Sequence, residues 1–183
     1  QSGILYLMDR LWHNGGYTIT STSAQNITSP TWPARDNAGS TNGTGVYLAM
    51  EISAATGAGT PTITVAYTNS AGTSSRSATN QIATVASSAI GATYFIGLQA
   101  GDVGVRSVQS VTLSATWTSG TMNLVAFRVI AALELAGAFI PNAIDAVTAG
   151  MPRLYNETVP WLVFVPNTTT ATNVQGTYVE TWG

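Results

Sequence analysis

The residues that could do acid–base chemistry are few: one histidine, His13, and eight carboxylates. Two carboxylate pairs, Asp36 with Glu51 and Asp102 with Glu134, have the residue types that a glycosidase uses as its acid and base. Nothing in the sequence brings either pair together, and no partner is spaced to make His13 a general base. His13 instead suits the end of a helix, where its ring would interact with the last carbonyls. We therefore predict that the protein is not an enzyme and has no catalytic residues.

Metal and cofactor sites are also not indicated. The chain has no cysteine, so it has neither thiolate ligands nor disulfides, and no acidic loop of the calcium-binding type occurs. The glycine-rich stretch Gly57–Pro61 lacks the lysine and the following helix of a phosphate-binding loop, so we interpret it as a hairpin turn. We predict no metal and no cofactor.

Charge is scarce along the whole chain. Soluble domains usually have about a quarter of their residues charged, whereas here 8% are charged and 45% are hydrophobic, with a net charge of −2 and no lysine. Such a surface is typical of a chain covered by neighbours in an assembly, so we expect a homo-oligomer, with a trimer as the expected stoichiometry. Six scattered arginines cannot neutralise a run of phosphates, which argues against nucleic acid as a partner. No apolar run reaches the length of about 18 residues that a membrane helix needs.

Two short helices are predicted. In Ile4–His13 the apolar residues fall at spacings of three and four, and Asn14–Gly16 would end the helix. A second helix fits Pro141–Ala149, because proline suits a first helical turn. The apolar stripe of the first helix supplies four candidate interface residues: Leu5, Met8, Leu11 and Trp12.

The remaining pattern is one of short strands with glycine- and asparagine-rich turns, which favours an all-β fold. We expect a β-sandwich or a jelly-roll-like barrel with the two short helices added. Residues 1–183 are predicted to form a single β-rich domain, and the opening Gln1-Ser2-Gly3 is typical of the ordered part of a longer polypeptide. The predicted strands are Tyr17–Ser21, Val46–Ile52, Thr62–Thr68, Ser75–Thr79, Ile82–Ala86, Thr93–Leu98, Ser110–Trp117, Met122–Leu135, Trp161–Val165 and Val174–Trp182.

Two further features could serve binding. In the loop Gln99–Val108, Asp102 would cap its own backbone, and Arg106 is predicted to hydrogen-bond to a carboxylate or to backbone carbonyls; a plain exposed hairpin is the alternative. Arg106 and Trp182 complete the candidate interface residues. Tryptophans can stack on sugars, although at strand ends they more often belong to a core or a subunit interface. The five are Trp12, Trp32, Trp117, Trp161 and Trp182.

Five segments, in this order, carry a resemblance to a known class of proteins. They are Leu5–Leu11, Pro33–Arg35, Tyr67–Thr73, Leu98–Val108 and Gly150–Tyr155. Over nearly its whole length the chain resembles virion structural proteins of tailed bacteriophages and prophages.

The resemblance implies a part of the virion, expected on the capsid surface as a decoration or cement protein that contacts the major capsid protein. It brings no catalytic residues. A tail, neck or baseplate component, or a glycan- or receptor-binding fibre module, is the alternative. Tryptophans exposed in a groove would favour the fibre module, and tryptophans buried between subunits would favour the shell.

Overall fold

The strands form one antiparallel sheet. The computed structural model describes residues 2–168 and 174–179, and within these ranges all regular structure is β. The order across the sheet is β2-β7-β4-β5-β6-β3-β8-β1-β9. The all-β class is confirmed, and the sandwich or jelly-roll arrangement stays a prediction. The strands are β1 (Gly3–Tyr17), β2 (Gln25–Asn26), β3 (Val46–Ala54), β4 (Ile63–Asn69), β5 (Arg76–Asn80), β6 (Thr93–Gly97), β7 (Val105–Leu113), β8 (Thr121–Leu135) and β9 (Pro160–Pro166).

One face of the sheet encloses the main hydrophobic core. Alternate residues of β3 within Val46–Ile52 are fully buried there, because the two-residue period of a strand places them on one face. Alternate residues of β4 and β8 join them, with buried residues of β7 at spacings of two and three and with Trp32 and Trp117. A bridge between Thr44, ahead of β3, and Gly104, ahead of β7, connects parts of the sheet that are distant in strand order. The sheet therefore curls around this core.

The helix predicted over Ile4–His13 is wrong, since this segment lies within β1, paired with β8 on one side and β9 on the other. The register with β8 shifts between Leu7 and Met8 and again between Arg10 and Trp12. Each irregularity disturbs the simple alternation of side chains, as an inserted residue in a bulged strand does. Met8 and Leu11, three residues apart, are both buried in this strand. Their spacing is the one that also predicts a helix.

The helix predicted over Pro141–Ala149 is also wrong. The segment contains turns, with the Ala149 N–H donating to the Asp145 carbonyl at 3.1 Å, and all of its residues are exposed. A helix this short is marginal without a packing partner, and here no buried face supports one. No helix among the described residues is long and apolar enough to cross a membrane.

Most of the predicted strands are confirmed, with small shifts at their ends. The largest shift is in β7, which begins at Val105 where the sequence predicted Ser110. The segment Ile82–Ala86 is a loop, and of Tyr17–Ser21 only the first residue belongs to a strand. The part of Val174–Trp182 that the structure describes, residues 174–179, forms no strand, and Trp182 lies outside the described residues.

Candidate functional site

A second apolar cluster occupies the opposite face of the sheet. Phe127 of β8 lies at its centre, with ring-centroid separations of 6.3 Å to Tyr47, 5.7 Å to Phe95 and 5.8 Å to Trp161. Tyr6 of β1 packs edge-on against Phe95 of β6 at 6.4 Å, although two strands lie between them in the sheet. Neighbouring strands are about 4.8 Å apart, so this contact requires strong curvature. Across β6, β3, β8 and β1 the sheet therefore bends toward this cluster, in the opposite sense to its curl around the main core, and we call this local surface the concave face.

The concave face opens into a groove of about 360 Å³ beside β9. One wall is β9 itself, and the other belongs to β6 and the segments next to it. Ile82 on that second wall is 61% exposed, and none of the lining residues is charged. The lining residues are Ile82, Gly91, Ala92, Thr93, Phe95 and Trp161–Pro166.

The most exposed apolar segment lies in the connection between β8 and β9. We call residues 138–150 the arm; every one of them is exposed. Phe139 has no cover at all and Val147 is 92% exposed, with Ile140 and Ile144 beside them. The one charged side chain, Asp145, accepts hydrogen bonds from the backbone of residues 147 and 148. An apolar patch of this kind on a soluble chain typically marks an interaction site.

The arm extends from a three-stranded end of the sheet. Residues 131–135 of β8 pair with 3–7 of β1, which pair in turn with 162–166 of β9. None of these residues is fully buried, even though most of them are apolar. This end of the sheet is therefore half-covered on both faces, like part of a core that a neighbour would complete.

A buried ionic network anchors the chain where it returns from the arm. The Asp9 carboxylate, fully buried in β1, accepts hydrogen bonds from Arg35 Nε at 3.0 Å and Arg128 Nε at 3.2 Å. It also accepts one from the Val159 N–H at 3.1 Å, and Arg128 donates to the Arg153 carbonyl at 2.8 Å. The network thus joins β1 and β8 to the segment ahead of β9, so the arm projects from a fixed base.

A second carboxylate network organises the loop Gln99–Gly104. Arg76 donates two hydrogen bonds to Asp102, each at 2.9 Å, and the Tyr67 hydroxyl and the Asn69 amide donate to the same carboxylate. The bonds from Arg76 are the main reason that the pKa of Asp102 lies far below its usual range; burial opposes them, and the Tyr67 and Asn69 bonds add to the lowering. Burial, and then the bond to Asp102, raise the pKa of Tyr67.

Asp36 holds the next loop in the same way. Its oxygens accept backbone hydrogen bonds from residues 38, 40, 43 and 44 at 2.7–2.9 Å. Burial would raise the pKa of Asp36, but the bonds from Ser40, Thr44 and Ala38 outweigh it and keep the pKa below its usual value. This carboxylate is structural, because its hydrogen-bonding capacity is used by its own loop.

The candidates for acid–base chemistry have separate partners. Glu51 pairs with Arg10 at 3.2 Å, whereas Asp36 binds its loop and Asp102 binds Arg76. His13 and Glu134 are exposed. Among the described residues, no group of three or more histidine, aspartate or glutamate side chains is placed to hold a metal ion.

The four candidate interface residues of the first segment do not lie on one face of the sheet. Met8 belongs to the cluster on the concave face, whereas Leu11 and Trp12 belong to the main core. Leu5 lies on the half-covered end and is partly exposed. A contact of any of them with a second subunit stays a prediction.

The hydrogen bond predicted for Arg106, to a carboxylate or to backbone carbonyls, is not formed with any described residue. Arg106 is exposed and forms no hydrogen bond or ion pair with any described residue, because Arg76 occupies the Asp102 carboxylate. It lines a shallow polar pocket of about 260 Å³ beside Ser29 and Thr41. Its part in an interface stays a prediction.

The described tryptophans do not form one platform. Trp32 and Trp117 are buried in the main core, where the Trp32 indole donates to the Val105 carbonyl at 2.7 Å. Trp12 packs against Trp32 at 5.5 Å between ring centroids. Trp161 lines the groove, with the Arg10 guanidinium 4.5 Å from its ring centroid.

Comparisons of the chain with protein-family models, with curated proteins and with solved structures found no match. The case for a function therefore depends on the residues and contacts of this chain.

Sequence reasoning missed the Asp9 network and the arm. Arg128 interrupts an apolar stretch of sequence, and a lone charge in a strand with apolar neighbours is a signal for a buried ion pair, whereas Asp9 lies next to Arg10 and gives no such signal. For the arm the signal was present in Phe139, Ile140 and Val147, but the sequence predicted a short helix over Pro141–Ala149, which does not form.

Proposed function

We propose that the chain is a non-enzymatic structural subunit of a bacteriophage particle, a decoration or cement protein on the capsid surface. It associates with copies of itself and with the major capsid protein. The proposal joins the resemblance of the sequence to phage virion proteins with a surface suited to assembly. A sandwich or jelly-roll arrangement of the curled sheet belongs to the same proposal.

The observation that carries the proposal is the arm. Its exposed apolar side chains, Phe139 and Val147 above all, are unfavourable in water, and burying each against a neighbour would contribute about 1.5–3 kcal/mol before association costs. Many such contacts repeated by symmetry can hold a shell together. The half-covered end of the sheet next to the arm supplies further apolar surface.

The fixed base of the arm also supports a structural role. Through Asp9 and Arg128, the chain that returns from the arm is tied to β1 and β8. A rigid projection loses less conformational entropy on docking than a flexible loop does. The tail, neck, baseplate and fibre roles remain alternatives. A sugar platform built from all the tryptophans is disfavoured by the burial of Trp32 and Trp117.

The test compares two exposed apolar sites. The double variant Phe139→Ser with Val147→Ser removes the apolar surface of the arm, and Val103→Ser is the matched control, because Val103 is 62% exposed in a different loop. The measurements are sedimentation of the purified chain and co-sedimentation with phage capsids that lack it.

We expect the wild type and the control variant to bind capsids equally well, and the arm variant to bind at least tenfold more weakly. The thermal stability of the arm variant should equal that of the wild type. Binding to isolated tails or to host glycans in place of capsids would support the alternatives. A wild-type chain that binds no part of the particle would overturn the proposal.

A further inference from the structure

We propose that β9 pairs edge to edge with β9 of a second copy of this chain, antiparallel and about a two-fold axis through Val163. The pairing involves only the free edge of the sheet. The β9 pairing can therefore be refuted while the role in a phage particle stands, and it can be confirmed even if that role is refuted.

The backbone directions in β9 follow from the bonds at its two ends. Arg10 donates its N–H to the Val159 carbonyl at 3.0 Å, and Asn167 donates its N–H to the Ser2 carbonyl at 3.1 Å. Successive residues of a strand direct their N–H and C=O groups to opposite sides. Residues 161, 163 and 165 therefore face β1, and residues 160, 162, 164 and 166 face away from it.

The outward groups of β9 have no partner among the described residues, because β9 is the last strand of the sheet. Proline has no N–H, so Pro160 and Pro166 leave the free edge with two donors, those of Leu162 and Phe164. The order of groups along the edge is then symmetrical about Val163: a proline, a donor, a donor and a proline.

A symmetrical edge is complementary to itself. With Val163 opposite Val163 of the second copy, Leu162 of each copy faces Phe164 of the other, and each such pair exchanges two hydrogen bonds. All four outward N–H groups then find a carbonyl. Pro160 faces Pro166 of the second copy, where no donor is left unpaired. A shift of two residues in either direction would keep four hydrogen bonds, because the proline carbonyls still accept, but it would leave two residues at one end of each β9 outside the overlap; the register centred on Val163 pairs all seven residues of the strand.

The side chains of β9 permit the same pairing. Natural edge strands are usually protected by charged residues, but all seven residues from Pro160 to Pro166 are uncharged. Leu162 is 55% exposed in the single chain and would pack across from Phe164 of the second copy. The prolines at its two ends lack an N–H, in keeping with the confinement of proline to edge strands.

The absence of cysteine from the chain gives a direct test. In the proposed dimer the two copies of residue 163 form a non-hydrogen-bonded pair with Cα atoms about 4.5 Å apart, within the range of a disulfide. Val163→Cys should therefore yield a disulfide-linked dimer under mild oxidation. Val165→Cys is the matched control, because its two copies would lie about 13 Å apart at about 3.3 Å per residue.

A second variant tests the hydrogen bonds themselves. Leu162→Pro removes an outward donor and leaves the bonds to β1 in place, and Leu162→Ala controls for the lost side chain. Sedimentation equilibrium should show dimers for the wild type, slightly weaker dimers for the alanine variant, and dimerisation at least tenfold weaker for the proline variant. Circular dichroism checks that both variants fold.

Cross-linking that is efficient at residue 163 and weak at residue 165, together with the loss caused by proline, supports the proposal. Equal cross-linking at both positions, or none at either, overturns it. A wild-type monomer, or a proline variant that dimerises as well as the alanine variant, also overturns it, and so does pairing of β9 with the arm or with another protein.

Discussion

Replacing Asp9 by asparagine should destabilise the fold strongly, because, among the described residues, Asp9 supplies the one negative charge in contact with the buried Arg35 and Arg128. The Asp9 carboxylate has no solvent exposure and lies 3.0 Å from Arg35 Nε and 3.2 Å from Arg128 Nε. The Arg128 side chain is 1% exposed. An uncompensated buried charge costs about 3–5 kcal/mol when one partner of a buried pair is removed.

The measurement is urea unfolding followed by tryptophan fluorescence. At a slope of about 2 kcal/mol per molar urea, a loss of about 3–5 kcal/mol lowers the unfolding midpoint by about 1.5–2.5 M. The matched control is Glu51→Gln, which removes the same charge from a partly exposed pair with Arg10. Exposed pairs contribute about 0–1 kcal/mol, so the control midpoint should fall by less than about 0.5 M.

The two variants separate the effect of burial from the effect of charge. If Asp9→Asn and Glu51→Gln lowered the midpoint equally, or if Asp9→Asn cost less than about 1 kcal/mol, the network around Asp9 would not be the anchor described above. Binding of the variant to capsids is a separate measurement, since a weakened anchor should also loosen the base of the arm.

Two further predictions concern the core and the dependence on pH. Trp32→Ala should lower the free energy of unfolding by about 3–5 kcal/mol, because it opens a cavity and leaves the Val105 carbonyl without its donor; calorimetry showing a cost under about 1 kcal/mol would contradict this. The pKa of Asp102 is lower in the folded than in the unfolded state, where it is about 3.9. Its stabilisation is therefore fully present above about pH 4 and is lost as the pH falls through the folded-state pKa. Thermal unfolding between pH 2 and 7 should show a shallower acid limb for Asp102→Asn or Arg76→Ala than for the wild type, and an unchanged limb would refute the assignment.

The two proposals assign two features of this molecule to assembly in different ways. The arm supplies uncharged apolar surface away from the sheet, and the edge of β9 supplies backbone hydrogen bonds within it. Both lie beside the half-covered end, where β1, β8 and β9 have no fully buried residue. A subunit with two separate contact regions can meet a copy of itself through one and another component through the other.

The sequence by itself determined the class of fold and most of the strands. Clean alternation, as in Ile63–Asn69, has one physical solution, a strand with one face in the core. The strand predicted over Met122–Leu135 likewise agrees with β8 to within one residue. The scarcity of charge is also a property of composition alone, and it led to the expectation of assembly without any coordinates.

Only the tertiary structure determined that β1 is a strand, which groups the carboxylates bind, and that the sheet bends to form the concave face. Register irregularities gave β1 a spacing that local sequence cannot distinguish from a helix. Asp9 meets residues that are 26, 119 and 150 positions away in the chain, and no local pattern encodes such contacts. The curvature that brings Tyr6 to Phe95 is a sum of twists over several strands. Short-range preferences determine which residues form strands, whereas the partners of each strand depend on how the whole sheet closes over its core.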